Sequence, residues 1–192
     1  FIYPAPFIID YNVKVDFLNN YLVTYIVNAI SIYGVGYLVF KLVLRKTEQV
    51  EQKEKKKMKF WEFIALICVT IGGAQFVNLV SQMIINVVKI LLGIEIQDNV
   101  QDIITHANPI FTVIFVAIIG PIFEELIFRG TLFKKLRAYG DKTAILYTAI
   151  AFGLFHCNIP QIPFAIVVGL FLGYAKVKTN NIIYPIIMHI AL

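Results

Sequence analysis

Charged residues are scarce in this 192-residue chain. They make up 15% of it, whereas soluble domains carry about a quarter. Hydrophobic residues make up 59% of the chain and the mean hydropathy is +0.77. A soluble protein of this length could not bury the apolar surface of so many hydrophobic side chains. The apolar residues also form long runs between short charged clusters. The composition therefore excludes an ordinary soluble domain and predicts a protein of the lipid bilayer.

Cysteine is also scarce. Cys68 and Cys157 lie in or beside apolar segments, and their spacing matches neither a disulfide framework nor a zinc motif. We interpret both as packing residues. The HExxH zinc motif is absent as well. We therefore predict no metal cofactor. Metal binding by glutamate and histidine is the alternative hypothesis.

Apolar runs predict the fold, since a span needs about 20 residues at a rise of 1.5 Å each. The second run is longer than a span requires, so we expect a span to about Met83 and then an interfacial piece carrying Lys89. The predicted fold is all-α, a polytopic transmembrane helical bundle with about six visible spans. The segments are residues 17–44, 60–92, 109–136, 143–157, 164–176 and 181–192.

Basic residues test this division. Fifteen of the 17 lysine and arginine residues lie in or next to three alternate connections, and connections 93–108 and 158–163 contain none. The positive-inside rule places the three basic connections in the cytoplasm. Membrane topology thus explains the net charge, and we expect no nucleic-acid partner. The lysines of residues 53–59 form a solvated loop that sets the topology, or alternatively a site for anionic lipid.

We divide the chain at residue 108. Residues 1–108 are predicted to form an N-terminal transmembrane region with a basic cytoplasmic loop at 45–59, and residues 109–192 the catalytic core. The first residue is Phe1, and Leu192 lies within an apolar segment, so we expect further sequence at both ends. The oligomeric state is left open.

Ionisable residues inside spans are costly and usually functional. Glu124, Glu125 and Arg129 lie in the segment GPIFEELIFRG. Glu125 and Arg129 are four residues apart on one helix face and can pair, whereas Glu124 is turned away by about 100°. A charge cluster near a helix end would explain Arg129 but not Glu124. We therefore predict that Glu124 is available to act on water and that Glu125 is its ion-paired neighbour.

Two histidines are predicted at a similar depth. His156 shares a helix face with Phe152, and His189 lies in the last apolar segment. By helical rise from the cytoplasmic ends, Glu124 lies at roughly 18 Å, His156 at roughly 20 Å and His189 at roughly 12 Å. Independent packing histidines need not converge in this way. His106, in the acidic outer loop, is predicted to face solvent.

These groups favour hydrolysis. A glutamate and an imidazole that share one water form a general-base pair, and a second imidazole can stabilise an oxyanion. No serine, threonine or cysteine is placed as an evident nucleophile, because Cys157 points about 100° away from His156. Activated water is therefore the favoured attacking group.

Three motifs resemble those of the CAAX-protease and bacteriocin-processing family of intramembrane peptidases. EELIFR resembles the family's EExxxR motif, and AFGLFH matches its FxxxH motif through Phe152 and His156. The segment GLFLGYAKVKTNNIIYPIIMHIAL resembles the closing segment, where HxxxN or HxxxD completes the set. The resemblance covers roughly Pro109 to Leu192, and three motifs in order are more specific than any one of them.

The resemblance implies an intramembrane glutamic endopeptidase that activates water with a glutamate and a histidine. By motif, Glu124 would be the catalytic base and His156 its partner, and His189 would help to bind the oxyanion. Glu125 and Arg129, with the motif phenylalanine, would position the site. The family's fourth element would fall at position 193, beyond this chain.

The family also implies partners and a location. Members include proteases that trim prenylated C-termini, and bacterial relatives are implicated in bacteriocin maturation, self-immunity and peptide signalling. We expect a peptide or membrane-protein substrate, a surrounding lipid bilayer and a bacterial plasma membrane. The alternative is a non-catalytic bacteriocin self-immunity protein that masks a toxin. A proton-coupled transporter that uses the same carboxylates is a second alternative, which the family motifs disfavour.

Overall fold

The computed structural model describes residues 21–46, 54–94 and 108–192. These residues form helices and no strand, and the protein is an all-α polytopic membrane bundle, as predicted. Residues 17–20 of the first predicted span, residues 47–53 of the basic loop and His106 lie outside the described residues. The helices are α1 (residues 21–46), α2 (Phe60–Leu92), α3 (Pro109–Tyr139), α4 (Asp141–Phe155), α5 (Ile162–Thr179) and α6 (Ile183–Ile190).

Four of these helices are long and apolar enough to cross a bilayer. They are α1 over Ile26–Val43, and α2, α3 and α5 over their full lengths. Helix α4 has 15 residues and is about 22 Å long, which is less than the roughly 30 Å of a hydrocarbon core. Each of the six predicted segments contains a helix, and four helices satisfy the length requirement by themselves.

Helix α2 continues without a break for 33 residues. The expected interfacial piece after Met83 is therefore part of the same helix, and its position relative to the bilayer stays a prediction. Neither proline nor glycine occurs between Met83 and Leu92 to end the helix earlier. The helix ends at Gly93, whose φ of 62° is left-handed and suits a residue without a side chain. At about 50 Å, α2 is longer than the hydrocarbon core is thick.

Helix α5 is central to the bundle and contacts α2, α4 and α6. The G-x-x-x-G spacing of Gly169 and Gly173 predicts a closely packed neighbour, and α4 is that neighbour. A Cβ atom at Gly169 would lie 2.9 Å from the Cα of Ala149, and one at Gly173 would lie 3.3 Å from the Cγ2 of Ile145. The two backbones are thus in contact, which holds α4 close to α5.

Both cysteines are on the surface of the bundle. Cys68 and Cys157 are free and exposed, so the interpretation that they are packing residues is wrong. An apolar neighbourhood in the sequence does not imply burial in a membrane protein, because lipid chains are as apolar as the protein core. The buried core instead contains Ile127, Phe128, Phe152, Val168, Leu172 and Met188.

Candidate active site

An ion pair between Glu125 and Arg129 lies inside the bundle. Arg129 Nη1 donates a hydrogen bond to Glu125 Oε1 at 2.8 Å, and both side chains are 0% exposed. Arg129 Nη2 donates to the carbonyl oxygen of Gly169 at 3.0 Å, and the guanidinium lies 4.7 Å from the ring centroid of Phe152. The predicted pairing of Glu125 with Arg129 is confirmed, and the arginine also joins α3 to α4 and α5.

His189 brings α6 to the same carboxylate. Its Nδ1 lies 3.1 Å from Glu125 Oε1, and its Nε2 lies 3.8 Å from Glu124 Oε2. An ionised carboxylate only accepts hydrogen bonds, so the short contact requires a hydrogen on Nδ1. The side chains of Glu124 and His189 are each 14% exposed and are therefore less enclosed than Glu125. One imidazole thus contacts both glutamates.

Tyr33 of α1 is a second partner of Glu124 and was missed in the sequence. Its hydroxyl donates to Glu124 Oε1 at 3.3 Å, and its ring stacks on Phe123 with centroids 5.0 Å apart. A Cβ atom at Gly120 would lie 3.3 Å from the same hydroxyl, so a glycine there leaves room for it. Tyrosine is common in this apolar chain, and the sequence has no signal that separates Tyr33 from the other nine.

His156 lies at the C-terminal end of α4. Its Nδ1 is 2.8 Å from the carbonyl oxygen of Phe152, and this contact requires a hydrogen on Nδ1 because a carbonyl oxygen only accepts. In the neutral ring, Nε2 then keeps a lone pair that can accept a hydrogen bond. No ion pair joins His156 directly to Glu124 within the described part of the chain.

Phe152 is the shared neighbour of the two imidazoles. Its ring contacts the His156 ring edge-on at 5.0 Å and the His189 ring edge-on at 5.4 Å. The side chain itself is 1% exposed and belongs to the buried core. The rigid ring therefore restrains both histidines and the guanidinium of Arg129 at once. This contact accounts for a phenylalanine at the fourth position before His156.

Two of the contributing stretches have π-helical hydrogen bonding. They are Ala29–Gly36 in α1, which contains Tyr33, and Leu126–Leu132 in α3, which contains Arg129. Wider turns of this kind are rare in proteins and occur frequently at functional sites. Both of these side chains contact one of the two adjacent glutamates.

The network is not fully satisfied. Glu125 Oε2 and Arg129 Nε are buried and have no hydrogen-bond partner among the described residues. Such groups are few in folded proteins and costly, so stability alone does not account for this arrangement. No cluster of three or more histidine, cysteine or acidic side chains suited to a metal ion is found in the described ranges. The metal-free mechanism stays a prediction.

We expect the loss of one member of the Glu125–Arg129 pair to destabilise the protein more than the loss of both. Arg129→Met leaves a buried carboxylate without its cation, at a cost of about 3–5 kcal/mol, and Glu125→Leu leaves an unpaired guanidinium. The double variant has neither charge. Thermal unfolding in detergent should therefore place each single variant below the double variant. A double variant as unstable as the two single effects added together would contradict this account.

The comparisons with known proteins involve the same helices. A family model described as type II CAAX prenyl endopeptidase Rce1-like matches residues 106–192. The membrane-embedded CAAX protease MroQ of Staphylococcus aureus (strain USA300) is 30% identical over an alignment of 153 residues. The match covers 73% of this chain and 58% of that protein. The chain therefore spans less than two thirds of the length of this relative. No solved structure matches the chain.

The matched segment contains all of the site residues predicted from the three motifs. They are Glu124, Glu125, Arg129, Phe152, His156 and His189. The family match and the similarity to MroQ thus agree with the resemblance read from the motifs. Over the segment that carries the three motifs, the chain is similar to the CAAX-protease and bacteriocin-processing family.

Proposed function

We propose that this protein is an intramembrane endopeptidase that hydrolyses a peptide bond of a peptide or membrane-protein substrate with water activated by glutamate and histidine. The observation that carries the proposal is the convergence of Glu124, Glu125 and His189 within an apolar helical bundle. Ionisable groups at such positions are costly and are usually retained for function. Similarity to a protease family supports peptide hydrolysis over transport.

Glu124 is the general base in this mechanism. Arg129 forms its hydrogen-bonded ion pair with Glu125, whereas the polar partners of Glu124 among the described side chains are the Tyr33 hydroxyl and the His189 imidazole. Glu124 takes a proton from a water molecule as the water oxygen attacks the carbonyl carbon of the substrate, and it later gives that proton to the leaving amine. His156 accepts a hydrogen bond from the same water through Nε2 and orients it for attack.

His189 stabilises the oxyanion that forms on the substrate carbonyl. In its protonated form the ring carries two N–H donors, and Glu125 holds the one on Nδ1. Donors fixed in advance in a water-poor site stabilise developing charge strongly. Glu125 and Arg129 position His189, and Phe152 restrains the rings of both histidines.

The proposed location and partners follow from the same similarity. The protein is an integral membrane protein, and the staphylococcal relative supports a bacterial plasma membrane. Its partners are then the lipid bilayer and a substrate segment that enters the bundle. The substrate is a peptide or a membrane protein with a cleavable bond within reach of Glu124.

Glu124→Gln should lower the rate of peptide cleavage by at least about 100-fold, because the amide keeps the size of the side chain but cannot act as a base. The measurement is cleavage of a candidate peptide by the full chain in proteoliposomes, at equal amounts of folded protein. Glu62→Gln is the matched control, since Glu62 pairs with Lys178 at 3.1 Å and its side chain is 45% exposed. Unchanged cleavage by Glu124→Gln would refute the role of base.

The same variant separates catalysis from masking of a toxin. If the protein protects its host by proteolysis, protection should be lost in Glu124→Gln and His156→Ala at normal protein abundance. Both of these side chains are partly exposed and outside the buried ion pair, so their loss should spare folding. Full protection by both variants would favour a non-catalytic immunity protein.

Tyr33 is proposed as a positioning residue for Glu124. Tyr33→Phe removes one hydrogen bond to the carboxylate, and we expect kcat to fall by about 5- to 10-fold with little change in KM. Tyr37→Phe, one turn further along α1, is the matched control, because no hydrogen bond of its hydroxyl is found in the described part of the chain. An equal effect of the two variants would argue against positioning.

Cleavage should not require a metal ion, because the proposed base and oxyanion donor are side chains. Exhaustive chelation of the protein in proteoliposomes is expected to leave the cleavage rate unchanged. Activity that is lost on chelation and restored by added Zn²⁺ would instead assign the glutamate and the histidines as metal ligands.

A further inference from the structure

A group of cations lies at the end of α5 and takes no part in the proposed active site. Lys176, in the last turn of α5, is only 6% exposed. Lys134, Arg137 and Lys55 lie close enough to repel its ammonium group. These four residues come from α3, α5 and the segment before α2, and all of them carry positive charge. We call them the basic cluster.

Backbone and side-chain hydrogen bonds hold these segments together. Arg137 Nη1 donates a hydrogen bond to the side-chain oxygen Oδ1 of Asn180 at 2.8 Å. The backbone amide of Asn180 donates to the carbonyl oxygen of Lys176 at 2.8 Å. The Lys56 amide donates to the carbonyl oxygen of Thr179 at 2.7 Å. Residues 54–58 and the end of α3 therefore converge on the last turn of α5. The packing of these three segments thus determines the positions of the cluster residues.

Two nearby carboxylates are paired with cations other than Lys176, one of them with Arg137 of the cluster itself. Asp141 accepts from Arg137 at 2.6 Å, and Glu62 pairs with Lys178 at 3.1 Å. No hydrogen bond or ion pair of the Lys176 side chain is found in the described ranges of the chain. The negative end of the α5 dipole offsets part of its charge. A mostly buried lysine whose ammonium group lacks a counter-ion is nevertheless costly, and the nearby cations add to that cost.

We propose that the basic cluster binds a phosphate group, and that this phosphate belongs to an anionic phospholipid of the cytoplasmic leaflet. The positive-inside distribution of charge places this end of α5 at the cytoplasmic face, where anionic headgroups are enriched. Lysine ammonium groups bind phosphate oxygens through short charge-assisted hydrogen bonds. Asp141 and Asn180 orient the guanidinium of Arg137, which adds a planar hydrogen-bond donor to the basic cluster.

The test compares the thermal unfolding of the full chain in nanodiscs of phosphatidylcholine with and without phosphatidylglycerol. We expect phosphatidylglycerol to raise the Tm of the parent protein by several degrees and to raise that of Lys176→Met by less than half as much. Lys178→Met is the matched control, because it removes an exposed lysine two residues away and should keep the full gain. Equal gains in the parent and Lys176→Met would overturn the proposal.

Two further measurements separate this outcome from a folding defect and from another source of phosphate. In phosphatidylcholine alone, Lys176→Met should be at least as stable as the parent, since it lacks an uncompensated charge beside other cations. A lower Tm there would count against the proposal. Inorganic phosphate added to phosphatidylcholine nanodiscs should raise the Tm little. A full gain with inorganic phosphate would overturn the assignment to a lipid and identify a free phosphate as the ligand.

Discussion

The Glu125–Arg129 ion pair lies where water does not screen it, because both side chains are 0% exposed. A buried charge is tolerated only when its surroundings supply an opposite charge and hydrogen bonds, so this pair determines what must surround it. Arg129 reaches the Gly169 carbonyl on α5 and packs over Phe152 on α4, and Glu125 reaches His189 on α6. A pair formed within one turn of α3 thereby orders the three helices around it.

The same arrangement makes two adjacent glutamates chemically different. Glu125 is fully buried and has both a cation and an imidazole on one of its oxygens. Glu124, turned to another face of α3, remains partly exposed and meets a hydroxyl of Tyr33 from outside the matched family segment. Gly169 serves the site in two ways, because the lack of a side chain lets α4 approach and also leaves its carbonyl open to Arg129.

Sequence reasoning succeeded where an interaction is local along the chain. Each of the predicted segments contains a helix, and the pairing of Glu125 with Arg129 followed from a spacing of four residues. It failed for the burial of side chains, because burial depends on whether protein or lipid lies beside a given face of the helix. Cys68 and Cys157, which were expected to pack inside, face outward, since lipid and protein core are equally apolar surroundings.

The sequence by itself determined the membrane helices, the ion pair within α3 and the three motifs of the family, because runs, spacings and motifs are properties of the chain. Only the tertiary structure decided that Tyr33 contacts Glu124, that Phe152 lies between the two imidazoles and that Lys176 is buried among other cations. These contacts join residues far apart in sequence. They depend on the rotation and depth of each packed helix, which hydrophobic periodicity does not specify when both lipid and core accept apolar side chains.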